Sequence, residues 1–246
     1  MSTGYQLNSS VLPAIFNDDV FSQKPTVILD KNVHASIYEG CYRSKICLRR
    51  FRHNDLEHLQ KILSNPETHG AKFVITESLF SMNGTIPNLK QIGRICSENN
   101  AFLIVDEAHA IGVFGQNGSG LASKADMTIG TFGKAFGSHG AFLTCSQKMK
   151  DYLVATCKGL IYSTAPSPAI LGSISAALDL MPKMRESREK IHFLAEHFKD
   201  NLVKLNLNML SADSHIISVS MKDIPTAYGY QKFLRDSGFW VKAIFP

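Results

Sequence analysis

Lys134 stands between Gly133 and Gly137 in the stretch TIGTFGKAFGSHGAF, Thr128 to Phe142, which carries almost no other charge. A solvated lysine ordinarily lies on a polar helix face beside other charged groups, so this placement suggests an amine that is used. In weakly polar surroundings the charged form of an amine is disfavoured, which lowers its pKa and makes it a nucleophile toward carbonyls. Three places, one of them this stretch, join a polar side chain to the end of an apolar run. VDEAHAIGVFG puts Asp106 after such a run and His109 three residues on; TESLFSMNG does the same with Glu77 and Ser81; GTFGKAFG adds Thr131 ahead of Lys134. His34, in LDKNVHASIYEG, follows another.

The elements that must position these residues are legible in the hydrophobic pattern. TVILD (26–30), KFVITE (72–77), AFLIVDE (101–107), DMTIGT (126–131) and GAFLTC (140–145) read as strands. Between them NDLEHLQKILSN and NLKQIGRICSENN read as helices, the first entered through Asn54 or Asp55 as a cap. Nearly continuous apolar strands separated by amphipathic helices predict an α/β fold with a mostly parallel sheet covered on both faces. In such sheets ligands gather at the carboxyl ends of the strands, where the residues above fall. After Pro168 the pattern changes: a helical region to about Leu205 with a break near Pro182, then HIISVSM, a helix near Ala227 to Asp236, and FWVKAIFP. This predicts a large α/β domain over 1–180 and a partial, smaller α+β domain over 181–246.

Composition limits the function classes. With 246 residues, 44% of them hydrophobic, the chain can bury a substantial core. No apolar run approaches bilayer-crossing length, and MSTGYQLNSS lacks the basic and apolar regions of a secretory signal, so the chain reads as cytoplasmic with no membrane partner. The densest basic patch, Cys41 to His53, is explained equally by a solvated sheet edge, and no nucleic-acid partner is expected. The five cysteines, with no CxxC spacing, read as reduced core residues rather than a metal site or a disulfide framework. DEAH, Asp106 to His109, is also a helicase signature, but that chemistry needs an upstream GxxxxGK[ST] loop, which the sequence lacks.

Taken singly, Lys134 reads as well as a solvated loop lysine, Asp106 as a helix cap, His109 as a core histidine and His34 as a surface residue opening a helix. Taken together at successive strand ends they fit one demand. An aspartate ending a buried strand needs a cationic or hydrogen-bonding partner, which a protonated pyridine nitrogen supplies. A lysine for a Schiff base and an aspartate for the ring nitrogen are what pyridoxal 5'-phosphate requires of its protein.

Five stretches, in this order and at these spacings, DKNVHAS, TESLFSMNGTIPNL, VDEAHAIGVFGQNGSG, TFGKAFG and GLIYSTAPSPA, closely resemble the α-oxoamine synthases, fold-type I pyridoxal-phosphate enzymes that condense an amino acid with an acyl thioester and lose carbon dioxide. The resemblance implies that Lys134 carries the cofactor, that Asp106 partners the pyridinium nitrogen, and that His109 and Ser81 lie near the phenolic oxygen. It implies that His34 stacks on the ring, making Lys134, His34, Asp106 and His109 the catalytic set. Thr131 and the amides of Gly4 and Tyr5 would hold the phosphate, the latter as a helix N-terminus holds an anion. Ser163 and Thr164 would approach the phosphate from the neighbouring copy of a homodimer.

Within the family, TFGKAFG and GLIYSTAPSPA are most similar to the member that joins L-alanine to a pimeloyl thioester of coenzyme A or acyl carrier protein. The aminolevulinate, aminoketobutyrate and sphingoid-base members remain alternatives, as does a remnant that binds the cofactor without turnover. Family members begin upstream of the phosphate loop and continue past VKAIFP to an arginine for the substrate carboxylate. The chain thus resembles their central part, and by itself is expected to turn over little.

Overall fold

Runs of β-branched and apolar residues become strands because their side chains pack well on a pleated, buried surface. β1 (Thr26–Asp30), β2 (Cys47–Phe51), β3 (Lys72–Glu77), β4 (Ala101–Asp106), β5 (Met127–Thr131) and β6 (Ala141–Thr144) build one sheet in the order β2-β1-β3-β4-β5-β6. All neighbours pair parallel except β5 and β6, which are antiparallel. The computed structural model describes residues 1–211 and 213–245.

Side chains alternate between the two faces of each strand, and both faces are covered. Val27 and Leu29, Phe73 and Ile75, and Ile104 join a core with α1 (Gly4–Ile15), α2 (Ala35–Tyr42) and Leu153 of α5 (Gln147–Thr156). Ile28, Val74, Leu103 and Val105 join a second core with Leu59 and Leu63 of α3 (Leu56–Leu63) and with Ile92 and Cys96 of α4 (Leu89–Glu98). Asp55 caps α3 by accepting from the His58 amide at 2.8 Å, while Asn54 takes a left-handed turn (φ 55°) just before it. β2 is the sheet edge, and its exposed and half-exposed Cys47, Arg49 and Arg50 account for much of the basic patch. Cys47 therefore departs from the expectation that the cysteines are core residues: an edge strand has no neighbour to cover it, whereas Cys41, Cys96 and Cys157 are buried.

The helical region after Pro168 forms α7 (Pro168–Leu180) and α8 (Arg185–Lys204), introduced by the short α6 (Lys158–Ile161) and separated by a turn of 3₁₀ helix over Met181–Lys183. Pro182 lies in that break, where its missing N–H leaves no helical hydrogen bond unmade. The chain divides into two compact units: Met1–Ser81 with Ile86–Lys190, and Met82–Thr85 with Ile191–Pro246, so the division falls inside α8. In the second unit α9 (Ile224–Asp236) is capped by Asp223, which accepts from the Thr226 amide. HIISVSM and residues 239–245 do not become strands. A strand needs a ladder of backbone partners, and among the described residues of this unit only one bridge forms, Met209 with Val219. Among the described residues no helix is long and apolar enough to cross a membrane.

Candidate active site

Four parallel strands end at one edge of the sheet with a polar residue: Asp30 on β1, Glu77 on β3, Asp106 on β4 and Thr131 on β5. Asp30 is consumed locally, accepting from the amides of Asn32 and Asn54 and pairing with His53 at 2.9 Å. Glu77 and Asp106 are register partners, so their carboxyl groups leave the sheet side by side. Both are buried. Burial, with the Asp106 carboxyl beside it, pushes the Glu77 pKa well above the usual carboxylate range. Glu77 Oε1 accepts the backbone N–H of His34 at 2.5 Å, and the Ser81 amide also donates to this carboxyl. One buried carboxyl thus fixes the loops that carry two of the residues singled out from sequence.

Asp106 Oδ1 accepts from the Ala108 amide at 2.9 Å and Oδ2 from Asn8 Nδ2 at 3.2 Å. It opens a series of turns rather than an α-helix, and His109 lies in that series. Lys134 Nζ stands 2.6 Å from His109 Nε2. Lys134 is exposed as a residue, and partial desolvation lowers its pKa against the opposing pull of Asp106 and Glu77. An amine so poised beside an imidazole, near two carboxyl groups, is suited to attack a carbonyl and to pass a proton.

The His109 loop is tied down at two points. Gly112 has φ 85°, and a Cβ there would stand 2.6 Å from Ala135 Cβ, so only glycine lets the loop meet the lysine segment. Gly112→Ala is expected to cost roughly 1–3 kcal/mol from backbone strain, before any clash is counted. Urea unfolding of the variant should show a lower midpoint; an unchanged midpoint would mean that the loop does not need this approach.

The second tie is Glu107, which is buried and accepts the Leu121 amide at 2.8 Å through Oε1, while Oε2 has no partner. Burial pushes its pKa from 4.5 up to about 7. A carboxyl raised in the folded state favours folding below its unfolded value and loses that contribution as pH rises through the folded one. Glu77, also raised, acts in the same sense. Glu107→Gln is therefore expected to flatten the fall in unfolding free energy between about pH 4.5 and about pH 7. Denaturant titrations across that range check this, and identical pH slopes in the two proteins would refute it.

The first turn of α1 meets the end of β5. Thr3 caps the helix by accepting the Gln6 amide, and a Cβ on Gly4 would lie 4.0 Å from Thr131 Cβ. Gly4, Tyr5 and Thr131 are thus drawn toward one helix N-terminus, the ordinary setting for an anion. Thr131 Oγ1 donates to the Gly140 carbonyl at 3.0 Å and accepts the Gly133 amide. Ser163 lies at this end too: its hydroxyl donates to the Gly159 carbonyl and accepts from Gln6 Nε2 at 2.9 Å within the same chain. Thr164 is exposed.

The structure thus links His34, Ser81, Glu77 and Asp106 in one hydrogen-bonded group, pairs Lys134 with His109, and sets Gly4 beside Thr131. Sequence reasoning noted Glu77 without giving it a role and missed Asn8, Ser36 and Glu107. Asn8, a polar residue on the buried side of a helix, was the one detectable signal among these.

Comparison with known proteins covers nearly the whole chain. The family model described as aminotransferase class I and II matches residues 1–244. A protein of Paramagnetospirillum magneticum, provisionally named an 8-amino-7-oxononanoate synthase, is 37% identical over all of this chain and 64% of its own length. A serine palmitoyltransferase of S. paucimobilis, solved with a bound PLP-myriocin aldimine, superposes with TM-score 0.91 at 29% identity over 98% of this chain and 64% of that one. The 8-amino-7-oxononanoate synthase of Francisella tularensis gives TM-score 0.87 at 28% identity over all of this chain and 72% of that one. The chain spans less than two thirds of the length of the curated relatives it matches.

Proposed function

Because this chain belongs to the aminotransferase class I and II family, we propose that it holds pyridoxal 5'-phosphate and acts as an α-oxoamine synthase, condensing L-alanine with a pimeloyl thioester and releasing carbon dioxide. The observation that carries this reading is the Lys134–His109 contact at 2.6 Å beside the buried Asp106 and Glu77. The donor set suits the group: an amine with lowered pKa for its aldehyde, a buried carboxyl for its ring nitrogen, and a helix N-terminus with Thr131 for its phosphate. When bound, pyridoxal phosphate supplies a ring that accepts the electron pair released at the amino-acid α-carbon. Lys134 would hold the cofactor and could carry a proton to or from the α-carbon. Asp106 would keep the ring nitrogen protonated, His109 would hold the phenolic oxygen, and His34 would pack against the ring.

The names of relatives support the choice of substrates: 8-amino-7-oxononanoate synthases recur among sequences 35–38% identical. A second reading, a serine palmitoyltransferase type, is favoured by the structural similarity to that enzyme. Two copies would pair to place Ser163 and Thr164 at each other's phosphate sites, which requires Ser163 to exchange its bond to Gln6 of its own chain for the partner's site. The exposed apolar residues Leu160, Ile161, Tyr162, Leu171 and Leu178 offer surface for such pairing.

The test is a titration of the purified chain with pyridoxal phosphate followed by absorbance, then turnover with L-alanine and a pimeloyl thioester beside L-serine and palmitoyl-coenzyme A, measured on the chain and on the chain extended by the flanking segments of a relative. Saturable binding and carbon dioxide release with the first pair support the proposal. Turnover only with the second pair would replace it, binding without turnover would leave a cofactor-binding remnant, and absence of binding would end both enzyme readings.

A further inference from the structure

A polar chain runs through the buried contact of α1 and α2, beneath the site. Asn8 and Ser36 are each 1% exposed. Asn8 Nδ2 lies 2.9 Å from Ser36 Oγ and 3.2 Å from Asp106 Oδ2, and Ser36 Oγ lies 2.7 Å from His34 Nδ1. The helices meet this closely because Gly40 has no side chain: a Cβ there would stand 2.5 Å from the Asn8 carbonyl oxygen.

The direction of every link in this chain follows from chemistry. The Ser36 backbone N–H points at His34 Nδ1 at 3.2 Å, and an N–H can only donate, so Nδ1 is an acceptor. The Ser36 hydroxyl must then also donate to Nδ1, which leaves its oxygen to accept from Asn8. The second proton of the Asn8 amide goes to Asp106, because turning the amide over would set its oxygen against a carboxyl oxygen. Asn8 Oδ1 is left buried without a partner, which costs stability. A side chain kept only for packing would not carry that cost; this one is kept for its two donors.

We propose that Asn8, acting through Ser36, is a positioning residue that holds His34 with Nδ1 as the accepting nitrogen and Nε2 as the proton-bearing one, and that it couples this ring to Asp106. The value of a fixed His34 to catalysis rests on the cofactor reading above, but the tautomer itself does not. Nε2 becomes the ring nitrogen able to donate to a bound group. A change in charge at Asp106 reaches His34 through two side chains that touch no ligand.

The polarity of the chain makes the test sharp. Asn8→Asp keeps the shape; the proton it must share with Asp106 lies on the Oδ2 side, which puts an acceptor oxygen opposite Ser36, so the hydroxyl should turn round, donate to position 8 and accept from His34 Nδ1–H, opposed only by the Ser36 backbone N–H. In cofactor-free protein with ¹⁵N-labelled histidine, and with His34→Gln used to assign the signal, the native ring should show an unprotonated Nδ1 and a protonated Nε2. In Asn8→Asp the tautomer ratio should move toward Nδ1–H by roughly tenfold, the equivalent of about one hydrogen bond. Ser36→Ala, which removes only a hydroxyl, should shift the ratio in the same direction and serves if Asn8→Asp does not fold. A protonated Nδ1 in the native protein, or a folded variant whose His34 signals are unmoved, would overturn the proposal. The measurement needs no cofactor, so its failure is distinct from a failure of the pyridoxal phosphate titration.

Discussion

Lys134→Ala is expected to abolish the stable pyridoxyl adduct formed on borohydride reduction and to lower turnover by at least about 10⁴-fold, the scale seen when a covalent catalytic group is removed. The amine has two tasks that no neighbour can share. In the proposed role it would be the nucleophile that captures the cofactor aldehyde, and it stands 2.6 Å from His109, close enough to exchange a proton. The next nitrogen, His109 Nε2, forms no comparable bond to an aldehyde. The fold should be little affected, because Lys134 is an exposed residue and the substitution buries no unpaired charge. Absorbance titration and unfolding curves of the variant separate these effects. Retention of the adduct would assign the chemistry to another lysine, while loss of the fold would recast Lys134 as structural.

Asp106→Asn carries the second largest expected effect. The amide keeps the shape of the carboxyl but cannot hold a proton on the ring nitrogen by charge, so the ring loses much of its capacity to accept electrons. Exchange of the L-alanine α-proton should fall by roughly 10³-fold, within the range for a lost acid–base or electrostatic contribution. Cofactor affinity should weaken only about tenfold, since one charge-assisted hydrogen bond is lost among several contacts. Internally, an amide nitrogen in place of one carboxyl oxygen would face either the Ala108 N–H or Asn8 Nδ2. The Asn8 amide can relieve this by turning over, which would reverse the links toward His34. Removal of the neighbouring carboxyl should also let the Glu77 pKa fall back toward its ordinary value. Proton exchange at the native rate in this variant would rule out the role given to Asp106.

Much of this site was legible because it is built from strand ends. Each of TVILD, KFVITE, AFLIVDE and DMTIGT closes on a polar residue, and a parallel sheet brings those closing residues to one edge without further information. The lysine between glycines and the histidine three residues after Asp106 follow on the loops that leave that edge. Residues whose role depends on how helices meet were not legible. Asn8 and Ser36 lie 28 positions apart and touch only because Gly40 admits the close approach of α1 and α2. Glu107 reads as the second letter of DEAH, yet its work is to hold Leu121, 14 residues on. HIISVSM alternates apolar and polar residues, but alternation gives a face and not a partner; where no neighbouring ladder forms, the segment stays irregular.

The central claim, that Lys134 is the residue through which this chain holds pyridoxal phosphate, is tested most directly by reducing the cofactor-loaded native protein with borohydride, digesting it and locating the added pyridoxyl mass. The adduct is expected on the peptide containing Thr131 to Gly137, at Lys134, in a stoichiometry approaching one per chain. A pyridoxyl group spread over surface lysines, or found at one other lysine with Lys134 unmodified, would contradict the account.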